Sequence, residues 1–368
     1  MSSSLLCAVL SILVVAVLAA PKWHELTSYT FEQYTKDFNK VYAPKDRMIR
    51  EKLFNEKLAE VQRFNAEGHS YKMGINHMSD WTKGERRAIK GNHPMAPKPA
   101  TTPVHKVSGV KLPYAVDYRI ANPSVLTAVK DQGTCGSCWA HAATEEVESL
   151  IAITTGQLFV LSQQQLVSCV TNSLHCGGTG GCGGATAEVA FQYLVENGGM
   201  TQEWMYGYQS YFGVTPPCAY NATQTVPVVK IAGYTMTPRN DVFAVMDAVA
   251  TVGPLAISVD ASTWFDYESG IFSGCDYAKN ISMDHAVQLI GYGHDGVSGQ
   301  DYWLVRNSWS PAWGELGFIR LQREATPSCG WNVEWDTNGG GCPGQPDTVW
   351  ACGQCGILYD TLYPNPDA

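Results

Sequence analysis

A cysteine followed at long range by a histidine and an asparagine carries the clearest chemistry in this chain. Cys138 stands in the run 132–140 (QGTCGSCWA), His285 follows Asp284 far downstream, and Asn307 lies beyond it. A thiol acts as a nucleophile in its thiolate form, and both a helix N-terminus and a nearby imidazolium lower its pKa. We therefore interpret Cys138 as a nucleophile, expected as a thiolate, and His285 as its base.

The segment after Cys138 has the spacing of an amphipathic helix. Apolar residues recur at three- and four-residue steps, and acidic residues fill the opposite face. The apolar positions are Ala140, Ala143, Val147, Leu150 and Ile151, and the acidic positions are Glu145, Glu146 and Glu148. The pattern predicts that Cys138 lies at the positive end of this helix.

Composition predicts a globular protein with a cleaved leader. The chain has 368 residues, 45% of them hydrophobic, enough for a large core and more than one domain. An apolar run over residues 5–20 ends in small residues and is too short to span a membrane comfortably. We interpret residues 1–20 as a secretory signal peptide, and we expect no membrane association after its removal.

The cysteines and two glycosylation motifs agree with a secretory route. Of 12 cysteines, Cys7 lies in the signal, and setting aside one nucleophile leaves an even number, consistent with disulfides in an oxidising compartment. Asn221 and Asn280 each stand in an Asn-x-Ser/Thr sequon.

Charge divides the chain into two opposite pieces. Residues 21–111 hold 17 Lys and Arg against 10 Asp and Glu, whereas residues 112–368 hold 8 against 24. A basic segment is attracted to an acidic body at neutral pH and less so when carboxylates are protonated. This predicts an inhibitory segment released by acid. The alternative is a soluble acidic protein with a basic tail, and the acidic body makes nucleic acid an unexpected partner.

Periodicity predicts an α+β organisation. Residues 31–69 have a helical pattern with an apolar stripe at Phe54, Leu58, Val61 and Phe64, and the Pro-rich segment 91–111 is predicted to be weakly structured and a natural place to cut. Helices are predicted after Cys138 and over 186–196, and residues 242–249 precede the change to strands. The predicted strands are 255–259, 286–292, 302–306 and 318–321.

The ordered motifs resemble the papain-like cysteine protease family of the cathepsin L type. In the prosegment, Asp46, Arg50, Phe54, Lys57, Val61 and Asn65 follow the family's interspersed helix motif, and Gly74, Asn76, Met78 and Asp80 follow its G-x-N-x-F-x-D motif. In the body, further family blocks are 112–119, 161–169 and 307–315. The resemblance implies a two-domain fold: a helical left domain, a β-barrel-like right domain and an active-site cleft between them, preceded by a helical propeptide.

The resemblance also implies roles for individual residues. Cys138 attacks the scissile carbonyl, His285 forms an ion pair with it and protonates the leaving amine, and Asn307 orients His285. Gln132 supplies an oxyanion donor together with the backbone N–H of Cys138. The implied substrate-binding set is Gly136, Gly184, Ala185, Ser258, Met283, Asp284, Ala286, Trp309 and Asp360, with Trp309 also shielding His285.

The roles of two residues, His141 and Asp360, have alternative interpretations. His141 stands where the family usually has Phe, either as a second titrating group near Cys138 or as a packed, hydrogen-bonded structural histidine. Asp360 falls at the floor of the implied S2 pocket, where it predicts acceptance of basic as well as apolar P2 side chains. The alternative is that Asp360 faces solvent or caps a turn.

Family disulfides imply three pairs: Cys135–Cys182, Cys169–Cys218 and Cys275–Cys355. The remaining Cys176, Cys329, Cys342 and Cys352 lie mostly in a Cys-rich insertion over 325–354. Disulfides are expected there. The alternative is a zinc site in which Cys352 and Cys355 combine with Cys329 and Cys342.

We thus expect a cysteine endopeptidase made as a zymogen: signal 1–20, inhibitory propeptide 21–111, and peptidase domain 112–368. Its expected partners are protein and peptide substrates and its own propeptide, as a monomer, without cofactor or metal, in a lysosome, an acidic vacuole or the medium. Two other functions remain open, a catalytically silent binding protein of this fold and a thiol oxidoreductase that uses Cys135 and Cys138.

Overall fold

The computed structural model describes residues 23–24, 26–91, 102–333 and 348–367. Within them the chain forms a prosegment, a helical half and a β half, each with its own buried apolar cluster. The predicted fold class, an α+β body of two domains behind a helical prosegment, is therefore confirmed. The predicted signal, residues 1–20, lies outside the described residues.

The prosegment folds around an aromatic cluster. Its elements are α1 Phe31–Asp37, α2 Pro44–Ala66, β1 Tyr71–Met73 and α3 Lys83–Ala88. The helix predicted over 31–69 is interrupted between α1 and α2. Asn39 is left-handed there (φ 51°), and Pro44 begins α2, where its missing N–H breaks no helical hydrogen bond. On the predicted stripe, Phe54 and Val61 are buried against aromatic residues of α1.

The helical half is built around one long central helix. Its helices are α4 Cys138–Thr155, α5 Gln163–Cys169 and α6 Ala187–Glu196. As predicted, α4 begins at Cys138; it ends at Gly156, whose φ of 74° suits a residue without a Cβ. The predicted helix over 186–196 is α6, capped by the Thr186 side chain.

The acidic face of α4, which an amphipathic surface helix turns to water, is buried. Glu145, Glu146 and Glu148 are each at most 2% exposed. Glu148 accepts from Lys130 Nζ at 3.0 Å, and Glu145 faces the Arg306 guanidinium at 3.3 Å. Buried carboxylates are tolerated when cations or donors face them. Because α5, α6 and the sheet enclose α4, this is a tertiary effect that periodicity does not report.

The β half consists of one helix and ten strands within the described residues. It contains α7 Val242–Thr251 and the strands β2 Val116–Asp117, β3 Ile231–Met236, β4 Leu255–Val259, β5 Tyr267–Phe272, β6 His285–Asp295, β7 Gln300–Arg306, β8 Phe318–Gln322, β9 Cys329–Asn332, β10 Val349–Cys352 and β11 Thr361–Pro366. Short 3₁₀ turns cover Tyr118–Ile120, Gly181–Gly183 and Gln354–Gly356. The main sheet has the order β1-β5-β8-β7-β6-β4-β11-β3, with β2 on β6, while β9 pairs with β10.

Two features of the sheet bear on the site. The predicted strands correspond to β4, β6, β7 and β8, and their antiparallel register sets Ser258 opposite Ala286. The prosegment adds β1 to the edge of the body's sheet, with Tyr71 opposite Gly270. No helix in the described part of the chain is both long and apolar enough to cross a bilayer.

The linker behind the prosegment is docked where the sequence predicts weak structure. Residues 92–101 lie outside the described residues, but from residue 102 the chain follows β3. His105 donates its backbone N–H to Met236 O (2.6 Å), and its ring contacts Asp247 at 2.9 Å. Ser108 Oγ donates to the same carboxylate at 2.5 Å. Residues 102–111 are therefore held by the body, although an isolated bridge replaces regular structure.

The disulfides follow the family pattern. The structure contains Cys135–Cys182, Cys169–Cys218 and Cys275–Cys355, and a further bond joins Cys329 to Cys352 across β9 and β10. Because Cys329, Cys352 and Cys355 are all oxidised, the alternative of a zinc site is wrong. Cys176 is also disulfide-bonded, and Cys342 lies outside the described residues.

Candidate active site

The predicted nucleophile and base come from the two halves of the body. Cys138 is the first residue of α4, at the positive end of the helix dipole. His285 is the first residue of β6, and the backbone of the next residue, Ala286, hydrogen-bonds the Cys138 sulfur. Both side chains are fully buried. The boundary between the halves is thus where a thiol and an imidazole meet.

The imidazole of His285 is oriented from behind. Its Nε2 lies 2.8 Å from Asn307 Oδ1, so Nε2 carries a proton and donates it to the amide oxygen. Its Nδ1 is buried and makes no hydrogen bond within the described residues. The Trp309 ring covers this pair, with its centroid 4.7 Å from that of His285. Nδ1 is therefore the nitrogen available to move a proton.

The side-chain amide of Gln132 is oriented as a donor. Ser308 Oγ donates to Gln132 Oε1 at 2.7 Å, which leaves Nε2 to face the cleft. Nε2 donates to Cys135 O at 2.8 Å and to Ile89 O, in the prosegment, at 2.7 Å. The donor implied for an oxyanion is thus built, and a prosegment carbonyl occupies it.

The prosegment passes through the site as an extended stretch directly after α3. Ile89 sets its carbonyl on Gln132, and the Lys90 ammonium forms a close ion pair with Asp284. The backbone of Gly91 hydrogen-bonds the Cys138 sulfur. Three consecutive prosegment residues therefore contact the predicted oxyanion donor, the neighbour of the predicted base, and the predicted nucleophile.

The backbone track beside the nucleophile is filled by the same stretch. Ala185 N–H donates to Gly91 O at 3.1 Å. A Cβ built on Gly91 would stand 1.9 Å from Gly136 O, and one on Gly184 would stand 2.7 Å from Gly91 O. Backbones approach this closely only where glycine is present. The predicted track of Gly136, Gly184 and Ala185 thus binds an extended chain.

Burial disfavours the charged forms of Cys138 and His285. Loss of solvation raises the pKa of the Cys138 thiol to about 11, and backbone donors only partly offset it. Loss of solvation also lowers the pKa of His285 to about 3, and the charge of Lys90 lowers it further. Both shifts act against the thiolate and the imidazolium in this form, because loss of hydration opposes the effect of the helix dipole.

The pKa of Asp284 is shifted upward, whereas that of the neighbouring His285 is shifted downward. Burial raises the pKa of its carboxyl to about 7, although the Lys90 ammonium acts to lower it. It also receives the backbone N–H of Ala261 at 3.3 Å. Asp284 is thus a partner of the prosegment in this form.

The residues predicted to form the S2 pocket are all buried. Ser258 Oγ donates to Asp360 Oδ2 at 2.7 Å, and Asp360 is 1% exposed. Ala286 lies opposite Ser258 in the sheet, and Met283 is buried in a cluster with Tyr359. Asp360 is therefore an interior carboxylate, so the alternative of an outward-facing residue is wrong.

His141 is packed rather than poised in the cleft. Its Nδ1 lies 3.0 Å from Ser137 O, and its ring meets Tyr208 edge to face at 5.1 Å. Burial lowers the pKa of His141 to about 4. These contacts favour the structural role among the two alternatives.

The cysteine pairing decides the redox alternative. Cys135 is bonded to Cys182, and Cys138 is the free cysteine among the described residues. The alternative of a Cys135–Cys138 redox pair is therefore wrong. No cluster of three or more His, Cys, Asp or Glu side chains suited to a metal occurs within the described ranges. Asn221 and Asn280 are both exposed.

Sequence reasoning did not find several residues that shape this site. It missed the stretch 89–91 as the blocking segment, and its signal was Gly91, a residue suited to close backbone approach. It missed Ser308, whose signal was a hydroxyl between Asn307 and Trp309. It also missed Asn332, whose side-chain oxygen accepts the backbone N–H of Met283 at 3.0 Å and which no motif marks.

Comparisons with known proteins agree with this geometry. The model of the papain family cysteine protease matches residues 112–337, and that of the cathepsin propeptide inhibitor domain matches residues 31–85. A probable cysteine protease of Arabidopsis thaliana is 37% identical, over 81% of this chain and 79% of its own. Procathepsin L of Mus musculus is 33% identical, over 85% and 92%. Digestive procathepsin L 3 of Tenebrio molitor superposes with a TM-score of 0.72 at 28% identity, over 91% and 97%.

Proposed function

This chain belongs to the papain family of cysteine proteases and carries a cathepsin propeptide inhibitor domain, and we propose that it is the zymogen of an endopeptidase activated when acid releases the propeptide. The single observation that carries this proposal is the path of Ile89, Lys90 and Gly91. They occupy the oxyanion donor, the track and the thiol together. A chain that fills these positions excludes substrate, and its departure exposes them.

The arrangement supports acyl transfer through a thioester. With the prosegment gone, water and the helix dipole favour the thiolate of Cys138 and the imidazolium of His285. The sulfur attacks the scissile carbonyl carbon, and the carbonyl oxygen becomes an oxyanion held by Gln132 Nε2–H and the Cys138 N–H. His285 protonates the departing amine. It then takes a proton from a water molecule whose oxygen attacks the thioester carbonyl carbon. The C–S bond breaks, the carboxylic acid product leaves, and the thiolate of Cys138 and the imidazolium of His285 are regenerated.

Ionic contacts between the prosegment and the body support the proposal that acid releases the prosegment. Asp266 of the body faces Lys57 Nζ at 2.8 Å and the Arg86 guanidinium at 3.1 Å. These contacts are ion pairs between the basic prosegment and the acidic body. Protonation of body carboxylates weakens such contacts.

The remaining parts of the proposal concern processing and location. We infer passage through the secretory route, loss of residues 1–20, glycosylation at Asn221 and Asn280, and action in a lysosome, an acidic vacuole or the medium. The four disulfides between named cysteines are consistent with an oxidising compartment. The mature enzyme is proposed to begin near residue 112 and to act as a monomer on protein and peptide substrates.

A pH series on purified proprotein tests the proposal. Wild type and Cys138→Ser are incubated from pH 7 to pH 4 and followed by mass spectrometry and by cleavage of fluorogenic Phe-Arg and Leu-Arg peptides. Wild type is expected to lose the prosegment and gain activity in acid, while the variant stays intact. If wild type cleaves no peptide after the prosegment is removed in trans, the endopeptidase proposal fails and the silent binding protein takes its place.

A further inference from the structure

The β9–β10 hairpin lies in the Cys-rich insertion and has one buried and one exposed face. Val349 and Ala351 of β10 are buried, whereas Trp331 and Trp350, opposite each other across the strands, are 50% and 45% exposed. The alternation follows the two-residue period of a strand. One face of the hairpin therefore packs on the body, and the other is open to water.

The buried face lies against the segment that leads to His285. Val349 and Ala351 form one apolar cluster with Ile281, Met283 and Tyr359. Met283 is 1% exposed, and a Cβ built on Gly356 would stand 2.8 Å from its sulfur. The Met283 side chain is thus enclosed between the hairpin and the turn that precedes Asp360.

The edge of β9 holds the backbone of the same segment. Ile281 N–H donates to Trp331 O at 3.0 Å, and Met283 N–H donates to Asn332 Oδ1 at 3.0 Å. Asn332 is 4% exposed, so its oxygen is a buried acceptor. A backbone N–H that loses such a partner in the interior stays unsatisfied and drives local rearrangement.

We propose that the hairpin determines P2 specificity by fixing the wall of the S2 pocket, and that Asn332 is the positioning residue that acts through Met283. The inference rests on the proposed function, because it concerns the S2 pocket that the family resemblance implies for Met283, Ala286, Ser258 and Asp360. Asn332 touches no substrate. It holds Met283 N–H, so that the thioether stands at one place beside a large P2 side chain.

The test compares kinetics of the mature enzyme on peptides with Leu, Phe or Ala at P2. Asn332→Ala is expected to raise KM about tenfold for Leu and Phe, with kcat nearly unchanged, and to leave the Ala peptide unaffected, because only a large side chain reaches the wall. Asn332→Asp keeps an oxygen facing Met283 N–H and is expected to restore the wild-type KM.

A matched control loosens the other edge of the hairpin. Asn240 receives Cys352 N–H at 3.0 Å and donates to Trp350 O at 2.9 Å, without contacting Met283. Its φ is 60°, so Asn240→Gly removes both bonds without backbone strain. This variant is expected to keep wild-type KM values on all three peptides. Equal losses in both variants overturn the role of Asn332 as the positioning residue, and equal losses with Ala and Leu at P2 overturn the effect on the S2 wall.

A second measurement needs no variant and separates the proposal from the function it rests on. Hydrogen exchange on the wild-type protein is expected to show slow exchange at the Met283 amide, and fast exchange there overturns the hairpin's role. If wild type cleaves no peptide, the proposed function fails by itself, while slow exchange at Met283 still upholds the contact. If Asn332→Ala does not fold, Asn332→Asp and the exchange measurement decide.

Discussion

Gln132 Nε2 donates a hydrogen bond of 2.7 Å to the carbonyl oxygen of Ile89. The amide proposed to stabilise the oxyanion of a substrate therefore already binds a carbonyl of the chain's own prosegment. Because the bond is made by the same donor in both cases, inhibition and catalysis compete for one group. The prosegment thus makes with Gln132 the polar contact that we propose for the substrate oxyanion.

Gln132→Ala is expected to lower kcat of the mature enzyme by about 100-fold, with a small effect on KM, because the donor acts on charge that develops in the transition state. The measurement is steady-state hydrolysis after the prosegment is removed in trans. Ser308→Ala loses only the bond that orients Gln132 Oε1, so a smaller loss is expected. Equal kcat in wild type and Gln132→Ala would remove Gln132 from the mechanism.

Acid release is expected to depend on His77 of the prosegment. Burial lowers its pKa to about 4 in the docked form, with Lys40 acting in the same direction and Asp131 against it. An undocked histidine titrates near 6.5, so the undocked form takes up the proton first and docking weakens as the pH falls from about 6.5 to about 4. His77→Gln should therefore release its prosegment about tenfold more slowly at pH 5.

The matched control for this experiment is His69→Gln, which alters an exposed histidine of the same prosegment. It is expected to leave the release rate at pH 5 unchanged. Release rates are compared at pH 5 and pH 7 in a Cys138→Ser background. They are measured by hydrogen exchange of the prosegment backbone amides or by limited proteolysis. A His77→Gln protein that releases like wild type at pH 5 refutes the role of this histidine.

Asp266 is expected to be a main ionic anchor of the prosegment. It is 5% exposed and binds Lys57 and Arg86, the latter through two parallel hydrogen bonds of 3.1 Å. Asp266→Asn removes the negative charge that faces Lys57 and Arg86. We expect this to weaken binding of the prosegment to the body by about 2 kcal/mol, or roughly 30-fold. We expect autoactivation to begin at a higher pH.

The exposed pair Arg47–Glu32, within the prosegment, provides the control, because such pairs contribute little. Glu32→Gln should activate with the wild-type pH dependence. Identical activation profiles for Asp266→Asn and wild type would show that the anchor lies elsewhere.

The interior carboxylate Asp360 is expected to set the acceptance of basic P2 side chains. It is held by Ser258 Oγ and lies beside the enclosed Met283 cluster. Asp360→Asn keeps the shape and removes the charge, so the ratio of kcat/KM for Arg over Leu at P2 should fall about tenfold. An unchanged ratio would show that Asp360 holds Ser258 and does not meet the substrate.

How far the sequence predicts this protein depends on the range of each interaction. The start of α4 at Cys138 and the core strands were predictable because periodicity is local. The site residues were predictable only through the order of motifs, since tertiary packing brings Gln132 to Ser308 and His285 to Asn307. The docking of His105 on Asp247 and the contact of Asn332 with Met283 had no local signal, because each joins segments far apart in the chain.

The glutamates of α4 show the same limit and give a stability prediction. Burial raises the pKa of Glu145 to about 7 and that of Glu146 well above its usual value, and one oxygen of Glu146 has no hydrogen-bond partner within the described residues. A carboxyl with a raised folded pKa stabilises the fold below its unfolded pKa of about 4.3, and that contribution is lost as the pH rises through the folded pKa. The thermal midpoint of wild type should therefore fall as the pH rises from 5 to 8.

Glu146→Gln, which keeps the shape and cannot ionise, is expected to raise the midpoint by about 2–4 °C at pH 8 and to change it little at pH 5. Glu148→Gln should instead destabilise at both pH values, because Glu148 accepts from Lys130 Nζ at 3.0 Å and from the N–H of Leu161 at 2.8 Å. A Glu146→Gln protein less stable than wild type at pH 8 would show that the carboxylate is paired in the folded state.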